Sequence, residues 1–125
     1  LPLHRFHPES IFLQVHLPNH IPVHRVSDKY DEFELVESLK GQDAVISTIA
    51  TEGIPQQKAI INAAIKAGVK HFVLSEFSHD TLNEQAAEML PQIFKVKARI
   101  VEYLKSKEKE GLNWTALVTG PFFEM

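Results

Sequence analysis

Apolar residues recur along this chain in two rhythms. Three short runs are strand-like and end in small, hydroxyl-bearing or aromatic residues: Asp43-Ala-Val-Ile-Ser-Thr-Ile-Ala50, His71-Phe-Val-Leu-Ser-Glu-Phe-Ser78 and Trp114-Thr-Ala-Leu-Val-Thr-Gly-Pro-Phe-Phe123. They predict strands over 44–49, 71–75 and 114–119. Between them the apolar spacing turns helical. Asp31 and Glu34 fit a capping box, Leu35, Val36 and Leu39 make a stripe and Gly41 suits a C-cap, which predicts a helix over 32–40. A second helix is expected to start at Pro55, in its first turn, and to end at Gly68, with a wide apolar face of Ile60, Ile61, Ala63, Ala64, Ile65 and Ala67. Residues 84–90 predict a turn or two of helix before Pro91, and 92–109 a long helix closed by Gly111.

Strands separated by helices give a parallel sheet as the simplest topology, with all strand ends at one edge. In open α/β sheets that edge is where ligands bind. The first 22 residues are different. They hold Pro2, Pro8, Pro18 and Pro22, four of the seven histidines, and one strand candidate, Ile11-Phe-Leu-Gln-Val15. We therefore divide the chain into an arm over 1–22 and one α/β unit over 23–125.

Composition narrows the function classes. With 125 residues and 44% hydrophobic content the chain is long enough for one core. A net charge of −3 with interleaved signs supplies no basic footprint for nucleic acid or an anionic membrane, so neither is expected as a partner. No cysteine is present, which removes thiolate chemistry and disulfides and suits a reducing cytoplasm. No apolar run approaches the roughly 20 residues that span a bilayer.

One residue breaks the pattern of its own helix. At about 100° per residue, Ile93, Ile100, Val101 and Leu104 share one arc, and Lys97 lies in its middle. Such a lysine either runs its stem along the core to water or meets a ligand at a pocket. Its place in the first two turns, near the end of the preceding strand, lets its head reach the ligand edge. Tyr103 and Lys107 carry a Tyr-x-x-x-Lys spacing, yet lie roughly 9 and 15 Å further along the helix than Lys97, away from that edge. They are read as a helix end, not as a catalytic pair. The strand-end residues Ser47, Thr48, Ile49 and Ala50, then Ser75, Glu76 and Phe77, and then 120–123, offer hydroxyls and little bulk where a flat ring or sugar could approach; singly, such residues are more often turn or packing residues.

Other chemistries find little support. His16, His20 and His24 recur every four residues, but Pro18 and Pro22 interrupt any helical display, so no metal site is expected. There is no Gly-x-Ser-x-Gly, and Ser75, His79 and Asp80 lie too close in sequence for a hydrolase triad. The five glycines, at 41, 53, 68, 111 and 120, never cluster into a phosphate loop.

Three longer segments carry a family resemblance: 35–48, Ala64-Ile-Lys-Ala-Gly-Val-Lys-His-Phe-Val-Leu-Ser-Glu-Phe77, and Asn113-Trp-Thr-Ala-Leu-Val-Thr-Gly-Pro-Phe-Phe123. Together they resemble the NmrA-like group, including fungal isoflavone-reductase-like proteins, over residues 21–125. The resemblance implies atypical short-chain reductases with a Rossmann domain binding NADP(H) and a smaller substrate domain. It implies Lys97 as the catalytic lysine, assisting proton transfer at a small aromatic or carbonyl substrate. It implies Thr48, Ile49, Ala50, Ser75, Phe77, Lys97 and Phe122 as cofactor-facing positions. The family's opening strand and Gly-x-x-Gly-x-x-Gly have no counterpart here, Ser78 replaces the usual glycine, and the chain stops where the substrate domain would begin.

The expectation is thus an α/β, Rossmann-like, doubly wound parallel sheet that is incomplete, in a fragment of an NADP-dependent reductase with weak or no activity of its own. Without the glycine loop the chain alone is expected to hold the cofactor poorly. An NmrA-type dinucleotide sensor without turnover is the alternative, and a missing first strand would leave a sheet edge prone to self-association.

Overall fold

A computed structural model describes residues 21–77, 80 and 83–120. The strand candidate at 11–15, the histidines before residue 21, and Phe122 lie outside the described residues. In chain order the elements are α1 (Glu32–Leu39), β1 (Ala44–Ile46), a 3-10 helix (Thr51–Gln56), α2 (Gln57–Ala67), β2 (His71–Leu74), α3 (Glu84–Met89), α4 (Pro91–Lys107), a 3-10 turn (Glu108–Glu110) and β3 (Asn113–Ala116).

The three strands form one parallel sheet in the order β1-β2-β3. Register aligns Val45 with Phe72 and Phe72 with Trp114, so these side chains share one face. That face is the covered one. Val45, Phe72 and Leu74 join Leu35 and Leu39 of α1, Ile60, Ile61, Ala63 and Ala64 of α2, and Ile100, Val101 and Leu104 of α4 in one buried cluster. The other face carries Ala44 and Ile46 of β1, which are exposed, beside half-buried His71 and Val73 of β2. On it His71 Nε2 and the Thr115 hydroxyl are hydrogen-bonded at 2.8 Å.

Strands β1 and β3 are shorter than the apolar runs predict, and register explains why. The last matched pair of β1 is Ile46 with Val73, after which the Ser47 amide still donates to the Val73 carbonyl at 2.9 Å. Strand β3 ends with Ala116 opposite Leu74, because β2 turns away there and leaves Leu117 and Val118 exposed without a ladder.

Helix boundaries follow local chemistry. The Asp31 carboxylate accepts from the Glu34 amide at 3.1 Å, which caps α1. The capping box is only half formed, since the Glu34 carboxylate accepts from the Ser27 amide at 2.7 Å. Pro55 falls inside the 3-10 helix rather than in the first turn of α2. At the far end of α2, the Gly68 amide donates to the Ile65 carbonyl and the Val69 amide to that of Ala64, with Gly68 at φ +80°. This pair of bonds is a Schellman cap, and buried Val69 supplies its apolar contact.

Candidate functional site

The C-terminal rim of the sheet is built by a short chain of hydrogen bonds. Leaving β2, the chain makes a three-residue turn in which the Glu76 amide donates to the Leu74 carbonyl at 2.8 Å. Ser75, at the centre of that turn, is gripped twice. Its amide donates to the Gln57 side-chain oxygen at 3.1 Å, and its hydroxyl donates to the Ile49 carbonyl at 3.1 Å. The segment after β1 and the segment after β2 are thereby tied together.

Lys97 completes the rim. Its side chain is on the buried face of α4, only 8% of the residue is exposed, and its ammonium donates to the Glu76 carbonyl at 2.8 Å. The helical-wheel argument therefore locates it correctly: an inward lysine whose head reaches the end of β2. Helix α4 packs against both α2 and the 3-10 helix that follows 47–50. Phe77 follows with a positive φ of 28°, a backbone region that costs about 1–3 kcal/mol for a residue with a side chain. Strain and a buried cation thus coincide at one edge of the sheet.

The remaining positions divide by exposure. Thr48 and Ala50 are exposed, Ile49 and Phe77 half-buried, and Ser75 buried. Together with Lys97 they lie at one rim, whereas the expected position Phe122 lies outside the described residues. A shallow crevice beside them is lined by 45–49 and Ile60. Ser47 is 4% exposed there, and its hydroxyl has no hydrogen-bond partner among the described residues. A buried hydroxyl ordinarily has one.

Sequence reasoning missed Gln57. It is fully buried at the first position of α2, on the stripe that continues through Ile60, Ile61 and Ala64. The signal was available: a polar residue on an apolar stripe, as for Lys97. The expected apolar face began at Ile60 and so left Gln57 out.

Tyr103 and Lys107 are occupied elsewhere. The Tyr103 hydroxyl donates to the Asn62 side chain at 2.5 Å, and the Lys107 ammonium sits 2.7 Å from the Glu110 carboxylate and 5.5 Å from the Tyr103 ring centroid. Their place is the seam between α2 and the end of α4. No group of three or more His, Asp or Glu side chains gathers as metal ligands would among the described residues. No helix among them is long and apolar enough to cross a membrane.

A parallel sheet with helices packed on it and a polar rim at its strand ends defines a Rossmann-like α/β unit. Residues 25–124 match the NmrA-like family, and the chain belongs to it. It is similar to oxidoreductase aprR of Aspergillus flavus, 57% identical over 108 residues that cover 86% of this chain and 36% of that relative. It is also similar to the phenylcoumaran benzylic ether reductase PT1 of Pinus taeda, 38% identical over 74% of this chain and 29% of that protein. Among solved structures, AtPrR2 with NADP+ and (+)pinoresinol superposes with a TM-score of 0.64 at 28% identity, covering 79% of this chain and 33% of that one. Leucoanthocyanidin reductase from Vitis vinifera, in a ternary complex, gives a TM-score of 0.57 at 26% identity over 70% of this chain and 29% of that one. The chain therefore spans about a third of the length of these relatives.

Proposed function

We propose that this chain supplies the strand-end rim of an NADP-dependent reductase acting on a small aromatic or carbonyl compound. The observation that carries the reading is Lys97, buried to 8% exposure with its ammonium fixed 2.8 Å from the Glu76 carbonyl at the end of β2. Relatives described as reductases, and solved relatives holding NADP+ or NADPH, support it.

The residues present fit one part of such a cofactor. Exposed Thr48 and Ala50 have little bulk, so a flat ring or a ribose can approach the main chain closely, and the unpartnered Ser47 hydroxyl adds a polar group beside them. A glycine cradle for the pyrophosphate is not supplied, because the glycines stand singly at 41, 53, 68, 111 and 120. Thr48, Ile49, Ala50, Ser75 and Phe77 are assigned to hold the ring and sugar, with Phe122 as a further contact beyond β3. NADPH, when bound, supplies a hydride.

Lys97 holds a proton at Nζ and offers it at the rim, where an oxygen of the substrate needs one when it gains charge. The Glu76 carbonyl restrains that ammonium, and the side chain is buried on the inner face of α4, so the proton is delivered from a fixed direction. We place the chain in the cytoplasm, consistent with its lack of cysteine. We also assign it a tendency to pair through the outer edge of β1, an outermost strand among the described residues.

The test is an NMR titration of the chain with NADPH, carried to concentrations high enough that the weak binding expected without a glycine loop still registers. Shifts concentrated at the amides of Thr48, Ala50, Ser75 and Phe77 are expected, and shifts absent or centred elsewhere would overturn the assignment. NADPH that binds but is not consumed would instead favour sensing without turnover, and consumption equally fast in the parent and in Lys97→Met would remove the catalytic role of Lys97.

A further inference from the structure

Gln57 is a buried polar residue whose side chain reaches from α2 to the rim. It is fully buried, its side-chain oxygen accepts the Ser75 amide at 3.1 Å, and its side-chain NH2 has no hydrogen-bond partner among the described residues. Ser75 passes the restraint on, since its hydroxyl fixes the Ile49 carbonyl, while the next residue, Glu76, presents the carbonyl that receives Lys97. One side chain of α2 thus sits at the start of two branches, one leading to the loop after β1 and the other to the cation on α4.

We propose that Gln57 is a positioning residue for the rim, setting through Ser75 where the Ile49 loop and the Lys97 ammonium come to rest. The proposal deepens the reductase reading and rests on it for what the rim binds. Its physical basis is directional. Ser75 lies in a turn, where no strand ladder holds its amide, so the hydrogen bond from Gln57 replaces the restraint that β2 loses after Leu74. An apolar residue of similar size would fill the space and leave the Ser75 amide unpaired in a buried place, which the turn can relieve only by rotating. Rotation there moves both the hydroxyl that holds Ile49 and the carbonyl that holds Lys97. The unpartnered NH2 fits the same assignment. A purely structural glutamine would be expected to satisfy both ends, whereas here one buried donor is left over and the acceptor is spent on the rim.

The experiment compares the full chain with Gln57→Leu, which removes the acceptor, and Gln57→Glu, which keeps an oxygen for the Ser75 amide. Amide hydrogen exchange is followed at Ser75, the side-chain 15Nζ resonance at Lys97, and NADPH is titrated in parallel. As a control, Leu39→Ala lowers the stability of the core from α1, away from the rim. In Gln57→Leu, exchange at Ser75 is expected to speed up roughly tenfold beyond that of the control at matched distance from the melting temperature, and the Lys97 resonance to move. Gln57→Glu is expected to restore both. If Gln57→Leu does not fold, Gln57→Asn, one methylene shorter, carries the same expectation. Exchange at Ser75 and a Lys97 resonance that match the control in Gln57→Leu, or in Gln57→Asn where that replaces it, would overturn the proposal. Failure of NADPH to shift the parent's rim amides would count against the reductase reading alone, because the exchange and 15Nζ signals decide the role of Gln57 without cofactor.

Discussion

The Lys97 ammonium and the Glu76 carbonyl meet at 2.8 Å across 21 residues of sequence, joining the middle of α4 to the turn that ends β2. A charge this buried is costly unless hydrogen-bonded, so the contact stabilises the fold as well as aiming the cation. Replacing Lys97 with Met keeps most of the stem and removes the donor. We expect a loss of about 1.5–3 kcal/mol in urea denaturation at unchanged slope, since hydrogen bonds to charged groups fall in that range. Lys97→Ala should lose a further ~1–2 kcal/mol through the missing methylenes. A Met variant as stable as the parent would mean that desolvation cancels the bond, leaving aim as the lysine's main contribution.

Phe72 sits at the centre of the middle strand, with Val45 on one side, Trp114 on the other, and no measurable exposure. Truncation to Ala should cost about 3–5 kcal/mol, because a rigid sheet between two neighbours relaxes little around the cavity. Thermal melting read by circular dichroism checks this. A cost below ~1 kcal/mol would imply that α2 and α4 collapse onto the sheet far more easily than their packing indicates.

The sequence shows the order of strands and helices because each apolar rhythm matches one face. The expected bounds of α4 lie within two residues of the observed ones at either end, and Lys97 stands out because its burial contradicts its type. Strand ends were overestimated for a different reason. Leu117 and Val118 are as strand-like as Trp114 in composition, but whether they pair depends on where β2 turns, which only the register reveals. Glu34 likewise satisfies the capping-box spacing, yet its carboxylate finds Ser27, seven residues away, a partner that no local pattern encodes. The tie from Gln57 through Ser75 to Ile49 is non-local twice over. A helical wheel can show that Gln57 faces inward, but not which amide it meets.

Gly68 and Gly53 separate two effects of adding a methyl group. At Gly68 a Cβ would meet nothing within 4 Å, but φ is +80°. Gly68→Ala should therefore cost about 1–2 kcal/mol from backbone conformation alone. At Gly53 a Cβ would touch Ile49 and the Tyr30 hydroxyl at 3.6 Å, an ordinary contact, and no positive φ is required. Gly53→Ala should be neutral or stabilising by up to ~1 kcal/mol, because the unfolded chain loses freedom. The two melting temperatures are expected to move apart; equal shifts would mean that the cap at the end of α2 tolerates alanine.

Lys107 provides a test in alkaline solution. Its pKa is raised above the ordinary 10.5, first by the hydrogen bond to the Glu110 carboxylate, against an opposing desolvation and with smaller help from the nearby Tyr103 and the Glu110 charge. The folded chain therefore binds this proton more tightly than the unfolded chain. Its stabilisation is fully present below the unfolded value and is lost as pH rises through the higher folded one. The effect is small, because the pair faces solvent and salt screens it. At low salt the melting temperatures of the parent and of Lys107→Met should differ by a steady amount below the ordinary lysine range and converge only as pH rises past the raised folded value. A difference that persists unchanged past that value would show that something other than the charged contacts with Glu110 and the Tyr103 ring is what Lys107 contributes.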